Sequence, residues 1–336
     1  LGLCLRRTAS GLSLWRSQRG PLQFFSRLLV MLSLKIVLFA TDFSPLADAA
    51  LDHALALAEK HGAVLHMLHA VVLHADDPND PAHHFPDAEQ IRGRLEEIAE
   101  SRMASQLEEH SAGELEVVRA QRRGMSTAPV ILEYAEEIDA DIIVMSTHGR
   151  RGLSHALVGS VTEEVVRLSP RPVLTIRGVD SDELHPRLDH VLVPVDFSRH
   201  SEGAVHHALE FCRAYGARMH LLHVFEQPVT PEVYAGGGPA AVSDFSLVEG
   251  SLREALLGVA TRAGAEVETE IHVTEGRAVA GILDAAREIP ADLIVIATHG
   301  LGGLTHVMLG SVTDKVLRRA ECPVLTVKAF GKSLLE

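Results

Sequence analysis

The stretch KIVLFATDFSPLADAALDHALALAEKHGAVLHMLHAVV, residues 35–72, decides the fold of this chain. It begins with an apolar strand, turns at Asp-Phe-Ser, continues as an amphipathic helix, and ends after a glycine with a second apolar strand. Both strands are apolar throughout, which is typical of parallel strands that are buried on both faces. Ser44 is a good N-cap and Pro45 suits the first helical position. The stretch therefore predicts a strand–helix–strand unit of a parallel sheet.

The same unit occurs again as HVLVPVDFSRHSEGAVHHALEFCRAYGARMHLLHVF, residues 190–225. Each copy is followed by an irregular segment rich in Pro, Gly or Asp, and then by a long helix. The long helices are predicted at about 87–110 and 244–263. Three further strands and two helices complete each half, so each half has five strands and four helices. Alternating strands and helices predict two tandem, doubly wound, parallel five-stranded α/β sheets.

The length of 336 residues agrees with two domains of about 150 residues each. We place the first domain at residues 33–178 and the second at 188–329, with a polar connection between them. Residues 1–32 differ, because they carry five arginines and no acidic residue. An organelle transit peptide is one interpretation. The other is a dispensable, disordered leader or an over-extended reading frame before Met31.

Composition limits the classes of partner. The formal net charge is −14. Because the first 32 residues are basic, the rest of the chain is more acidic than this total and repels a phosphate backbone, so a nucleic-acid partner is disfavoured. No apolar run approaches the roughly 18 residues of a membrane span, so no membrane partner is expected. Cys4, Cys212 and Cys322 form no paired motif, which favours a reducing cytoplasm.

A second repeat follows the fourth strand of each half: THGRRGLSHALVGSVTEE at residues 147–164, and THGLGGLTHVMLGSVTDK at residues 298–315. Each copy has a glycine, nine residues, Gly-Ser and a short helix. In open parallel sheets, ligands bind beyond the carboxyl ends of the strands, where this phrase lies. Free amides at a helix start, preceded by glycines, can bind an anion such as phosphate.

We expect the glycines to allow positive φ angles and close approach of a ligand, and the serines to be N-caps. The residues concerned are Gly149, Gly159 and Ser160 in the first copy, and Gly300, Gly310 and Ser311 in the second. The alternative for Ser160 is a simple capping box with Glu163, which needs no ligand.

Asp42 and Asp196 follow the first strand of each half and reach the same sheet edge. One interpretation is a turn residue that accepts a hydrogen bond from its own backbone. The other is an acceptor for the base or ribose of a bound nucleotide.

These repeats resemble the universal stress proteins, over about residues 33–329. The family's ATP-binding signature is Gly, two residues, Gly, nine residues, Gly, then Ser or Thr. The chain matches it twice except at the first glycine, which is replaced by Ser146 in STHG and by Ala297 in ATHG. The family's aspartate near adenine corresponds to Asp42 and Asp196. The resemblance implies a Rossmann-like (adenine nucleotide alpha hydrolase-like) fold, a stress-response role and, for some members, ATP binding.

Single-domain members of that family generally dimerise through their last strands. The resemblance therefore implies that RPVLTIR and CPVLTVK, the last strands of the two halves, pair within this chain as a built-in dimer. A further homodimer is a possible addition. Edge strands are costly to leave exposed, which favours the same pairing.

Three functions stay open at this point. The favoured one is an ATP-binding regulatory protein, with Mg²⁺ accompanying the nucleotide. The second is a tandem scaffold without nucleotide, which the replaced first glycines support. The third is an enzyme; the chain lacks a Walker A motif, a G-x-S-x-G elbow and H-E-x-x-H, so only slow ATP hydrolysis is considered and no catalytic residue is assigned. His148 and His299 are interpreted as loop-shaping residues near the nucleotide, with general-base work as the alternative.

The twenty histidines raise the question of a metal. His66 and His69 recur as His220 and His223, but strand residues three apart face opposite sides and cannot easily share an ion. We assign no metal ligands and favour ordinary strand-end and surface histidines. The alternative is a zinc site assembled with histidines of the irregular segments.

Overall fold

A computed structural model describes residues 34–72, 88–110, 115–147, 159–177, 188–227, 245–298, 309–328 and 332–334. The predictions for the leader, for most of the two irregular segments and for the connection at 178–187 lie outside the described residues. Among the described residues, no helix combines the length and the apolar character that crossing a membrane requires.

Both halves repeat one order of elements, as the sequence predicts. The first half contains β1 (Ile36–Ala40), α1 (Pro45–His61), β2 (Val64–Val72), α2 (Ala88–Glu109), β3 (Val117–Gly124), α3 (Thr127–Glu137), β4 (Ile142–Ser146), α4 (Ser160–Leu168) and β5 (Val173–Ile176). The second half contains β6 (His190–Pro194), α5 (Arg199–Tyr215), β7 (Arg218–Phe225), α6 (Phe245–Ala263), β8 (Thr269–Glu275), α7 (Ala278–Glu288), β9 (Leu293–Ala297), α8 (Ser311–Arg319) and β10 (Val324–Val327).

The ten strands form one sheet in the order β3-β2-β1-β4-β5-β10-β9-β6-β7-β8. Within each half all pairs are parallel, which confirms two doubly wound five-stranded units. The two units meet where β5 and β10 pair in antiparallel fashion. Pairing through the last strands, expected from the sequence, is therefore present in the structure.

Helices cover both faces of this sheet. The cluster on one face joins apolar side chains from α1, α2, α5 and α6 with alternate strand residues, and the cluster on the other face joins α3, α4, α7 and α8. Every residue of the central strands β4 and β9 is buried. Each cluster includes residues of both halves, so the packed layers continue across the β5–β10 junction.

The first helix of each half begins as the turn sequence predicts. Ser44 is the N-cap of α1 and accepts a hydrogen bond from the amide of Ala47, and Pro45 follows in the first turn. Ser198 caps α5 in the same way. Both helices end at a glycine in the left-handed region, Gly62 and Gly216, where a side chain would be strained.

Side chains reinforce the junction symmetrically. Leu174 lies opposite Leu325, and the hydroxyl groups of Thr175 and Thr326 each donate to a carbonyl of the facing strand, at 3.1 and 3.2 Å. Lys328 adds a hydrogen bond from Nζ to the carbonyl of Arg167 in the first half. Apolar contact and hydrogen bonds therefore join the halves along the whole short ladder.

Candidate functional site

The topology selects one edge of the sheet in each half. β1 has β2 on one side and β4 on the other, so the strand order reverses between β1 and β4, and the same reversal occurs between β6 and β9. Crevices at such switch points, beyond the carboxyl ends of the strands, are where doubly wound sheets bind ligands. The described ends of the repeated glycine-containing phrase and the two aspartates belong to this edge.

The described ends of each glycine-containing segment are bonded to each other. The amide of Gly159 donates to the carbonyl of Thr147 at 2.7 Å, and the amide of Gly310 donates to the carbonyl of Thr298 at 2.8 Å. Thr147 is itself held by the carbonyl of Ile176 in β5. The start of α4, and likewise of α8, is therefore fixed directly beside the end of the central strand.

The glycine, and not the serine, occupies the N-cap. Gly159 and Gly310 are the N-cap residues with φ of −60°, and neither helix start has a side-chain cap. The expectations of a serine N-cap and of positive φ at these two glycines were wrong. The reason is that the glycine carbonyl already accepts the helical hydrogen bond from Glu163 in α4, and from Asp314 in α8. Ser160 and Ser311 are first helical residues and are exposed.

A glycine N-cap favours an anion site at these helix starts. An N-cap glycine brings no side chain to compete for the first amides of the helix, which have no partner within the helix itself. The amides of residues 160–162 and 311–313 therefore lie at the carboxyl edge of the sheet, at the positive end of the helix dipole.

Two threonines that sequence reasoning missed hold this arrangement. The buried hydroxyl of Thr162 donates to the carbonyl of Ser146 at 2.8 Å, and that of Thr313 donates to the carbonyl of Ala297 at 2.7 Å. These bonds tie the first turn of the helix to the last residue of the central strand. The signal was present, because both copies of the phrase read Ser-Val-Thr at the helix start.

Asp42 and Asp196 shape the turn after the first strand. Oδ1 of Asp42 accepts from the amide of Ser44 at 3.0 Å, and Asp196 accepts from Ser198 at the same distance. The hydrogen bond to the local backbone, one of the two interpretations from the sequence, is therefore made. Both aspartates are half-buried at the switch-point edge.

The strain at this edge lies in a phenylalanine. Phe43 and Phe197 both have φ of 61°, a left-handed conformation that bulky side chains rarely adopt. Each ring lies against a histidine of the second strand, with centroids 4.4 Å apart for Phe43–His69 and 4.6 Å for Phe197–His223. Strained residues of this kind cluster at functional sites.

Those histidines are also bonded to the backbone of the turn. His69 Nδ1 lies 2.9 Å from the carbonyl of Thr41, and His223 Nδ1 lies 2.7 Å from the carbonyl of Val195. His66 faces away and pairs with Tyr134, which confirms that His66 and His69 lie on opposite sides of β2. Sequence reasoning noted that His69 recurs as His223 but interpreted both only as ordinary strand-end or surface histidines.

The structure thus brings the predicted residues of each half to one edge of the sheet. These are Asp42, Ser146, Gly159 and Ser160 in the first half, and Asp196, Ala297, Gly310 and Ser311 in the second. The other four predicted site residues, His148, Gly149, His299 and Gly300, lie outside the described residues.

One arginine joins the two helix starts. Nη2 of Arg318 lies 2.7 Å from Glu163 of α4 and 3.0 Å from Asp314 of α8. Each acid lies in the first turn of its helix, where it would otherwise repel an anion. The guanidinium of Arg318 offsets part of that repulsion in both halves.

Comparison with known proteins now decides the family. The model of the universal stress protein family matches residues 33–177 and again residues 187–328. The chain belongs to the universal stress protein family. Its two matched regions correspond to the two halves of the sheet, so it is a tandem two-domain member.

Individual relatives agree. Universal stress protein Rv2005c of Mycobacterium tuberculosis is 31% identical over 204 residues, which are 60% of this chain and 65% of that protein. Universal stress protein MJ0531 of Methanocaldococcus jannaschii is 33% identical over 141 residues, 41% of this chain and 81% of that protein. The crystal structure of a universal stress protein from Archaeoglobus fulgidus is 25% identical, covers 87% of this chain and 98% of its own, and has a TM-score of 0.58. The chain thus spans just under two thirds of the mycobacterial relative.

Proposed function

We propose that each half binds one ATP molecule at the switch-point edge, and that the protein acts as a nucleotide-dependent regulator of the stress response in the cytoplasm. One observation carries this proposal. In both halves a glycine N-cap is bonded to the end of the central strand, and it presents the first amides of α4 or α8 at the ligand-binding edge. Such amides favour phosphate without any lysine.

The geometry of this edge supports the following role for each residue. The amides of residues 160–162 and 311–313 would hold phosphate oxygens, with the hydroxyls of Ser160 and Ser311 beside them. Asp42 and Asp196, at the end of the neighbouring strand, would accept from the adenosine. His148, Gly149, His299 and Gly300 complete the proposed site from the sequence signature.

The proposed site also fits Mg²⁺ that binds together with the phosphates of ATP. Mg²⁺ retains several waters and takes most of its remaining ligands from phosphates, so few protein groups are required. The first-turn acids Glu163 and Asp314 are engaged by Arg318, which leaves the phosphates as the main source of negative charge.

Titration calorimetry of the full chain with ATP tests the proposal. We expect two binding events, of which Gly159→Val removes one and Gly310→Val the other. A β-branched side chain at the N-cap occupies the space that the phosphate must approach. Gly250→Val is the matched control, because Gly250 is exposed on α6 and an added Cβ meets no atom within 4 Å.

The circular dichroism spectrum should remain native in all variants. ATP binding that survives the double variant Gly159→Val/Gly310→Val would leave the helix starts as structural caps and favour a scaffold without nucleotide at these loops. The first site should be the tighter one by several-fold at most, because Arg150 and Arg151 correspond to Leu301 and Gly302 in the second copy.

A further inference from the structure

A cluster of histidines on the second half of the sheet has no place in the proposed nucleotide site. The side chains of His190, His220 and His272 contact one another in turn across β6, β7 and β8, and Glu270 of β8 is paired with His220. The cluster is near the amino ends of these strands, whereas the nucleotide edge is at their carboxyl ends. Among the described residues, His220, Glu270 and His272 form the group whose ligand atoms could share a metal ion.

The distances within the cluster match a metal-binding polyhedron. His220 Nδ1 lies 3.0 Å from His272 Nε2 and 3.7 Å from Glu270 Oε2, and His272 Nε2 lies 3.8 Å from the same oxygen. A tetrahedral zinc site with bonds of about 2.0–2.1 Å has ligand-to-ligand edges of about 3.4 Å. An ion at the centre would therefore need only small movements of these three side chains.

The surroundings already orient two of the three ligands. His220 Nε2 lies 3.0 Å from His190 Nδ1, so a proton on Nε2 can be donated to His190 while Nδ1 keeps a lone pair for the metal. The other oxygen of Glu270, Oε1, pairs with Arg218 at 3.1 Å. Outer partners of this kind fix the tautomer of a ligating histidine and the direction of a ligating carboxylate.

The first half provides an internal comparison, because it lacks this arrangement. His66 occupies the place of His220 in the second strand of its half, opposite Val118 of β3. Val118 stands at the place of Glu270. Two residues on, the strand that carries His272 in the second half carries an alanine in the first. The sequence repeat therefore does not require the cluster.

The corresponding helices α3 and α7 also differ at the position that contacts the histidine in the first half. The eighth residue of α3 is Tyr134, whose hydroxyl lies 2.9 Å from His66 Nδ1. The eighth residue of α7 is Ala285, which has no such group. In the second half, the position that would contact the histidine from the helix is thus reduced to a methyl group, and the polar partners of His220 come from β6 and β8.

We propose that His220 Nδ1, Glu270 Oε2 and His272 Nε2 bind one divalent transition-metal ion, with Zn²⁺ as the best match. Two imidazoles and one carboxylate suit Zn²⁺, whereas Mg²⁺ and Ca²⁺ prefer oxygen ligands alone. His220 is buried, but the side chains of His272 and Glu270 are 31% and 44% exposed. The ion therefore has an open side toward solvent, where water completes the coordination.

Equilibrium dialysis of the tag-free, chelator-treated full chain against Zn²⁺ tests this site. We expect Glu270→Gln and His272→Ala each to weaken binding of one ion by about 100-fold or more, since even outer partners of a metal site contribute 10–100-fold. Glu268→Gln is the matched control, because it removes an equal charge beside the same strand and from the same partner, Arg218. It should bind Zn²⁺ as the unaltered chain does.

Two further readouts separate a metal site from a loss of folding. Zn²⁺ should raise the melting temperature of the unaltered chain and of Glu268→Gln, but not of Glu270→Gln, whose substitution is isosteric and half-exposed. Co²⁺ should give the intense visible absorption of a tetrahedral site in the same two proteins.

Several results would overturn the proposal. These are no Zn²⁺ bound by the unaltered chain, full binding in Glu270→Gln and His272→Ala, or an equal loss in Glu268→Gln. In the first case the histidines form only a hydrogen-bonded row, and in the second the ion is held by other residues.

Discussion

The junction between the halves gives a prediction whose size can be worked out from the structure. Leu174 of β5 is 7% exposed and lies opposite Leu325 of β10, which is fully buried. Burial of a leucine contributes about 1.5–3 kcal/mol, and a lysine at this position would have to keep its ammonium group in water. We therefore expect Leu174→Lys to weaken the β5–β10 ladder by at least about 2–3 kcal/mol.

Hydrogen exchange measured by mass spectrometry reads this change in the other half of the chain. A loss of about 2–3 kcal/mol raises the population of the open ladder by about 30- to 150-fold, so amides of β10 should exchange faster by that factor. Leu168→Lys is the control, because this substitution makes the same chemical change at a residue that is exposed. If β10 exchanged at the same rate in Leu174→Lys and in the unaltered chain, the halves would not be stabilised by this ladder.

Two further predictions concern pH and the helix start. Burial lowers the pKa of His207 to about 4, so its imidazole is neutral in the folded protein at pH values where it is already protonated in the unfolded chain. The contribution of His207 to the free energy of unfolding is therefore present above pH 6.5 and should fall by about 3 kcal/mol as the pH drops from 6.5 to 4. Urea unfolding of His207→Gln should show a smaller fall over the same pH range. Thr162→Val should lower the free energy of unfolding by about 1 kcal/mol and weaken ATP binding in calorimetry, because it removes the hydrogen bond that ties the start of α4 to the carbonyl of Ser146. Thr261→Val, which removes an exposed hydrogen bond on α6, should leave the ATP affinity unchanged. Equal affinity in Thr162→Val and Thr261→Val would contradict the positioning role of Thr162.

Much of the fold could be predicted from the sequence because the local signals agree with one another. Apolar strands, capped helices and glycine helix ends occur in the same order twice, and a parallel sheet is the arrangement that buries such strands on both faces. The pairing of the last strands also followed, since β5 and β10 would otherwise be exposed apolar edges.

Parts of the site depended on tertiary contacts that no local pattern contains. The helix α4 begins one residue earlier than a serine cap at position 160 predicts, because Gly159 is the N-cap: its amide donates to the carbonyl of Thr147, and its own carbonyl accepts the first helical hydrogen bond. The left-handed Phe43 is stabilised by its contact with His69 on a neighbouring strand. Sequence spacing alone gives no reason to expect a bulky residue in that conformation.

The histidine cluster shows the same limit more clearly. His220 and His272 are 52 residues apart, and they come together only through the register of β7 against β8. Sequence reasoning compared His220 with His223 on the same strand and correctly separated them, but it had no means of finding a partner on the next strand.

The most direct test of the central proposal is protection of the helix-start amides by nucleotide. Hydrogen exchange should be compared for the free protein, with saturating ATP and Mg²⁺, and with adenosine at matched occupancy. If the first turns of α4 and α8 bind phosphate, ATP slows exchange of the amides at 160–162 and 311–313, and adenosine, which lacks phosphate, does not. Binding of ATP that leaves these amides exchanging at their free rate would contradict the account, because the phosphates would then be held elsewhere.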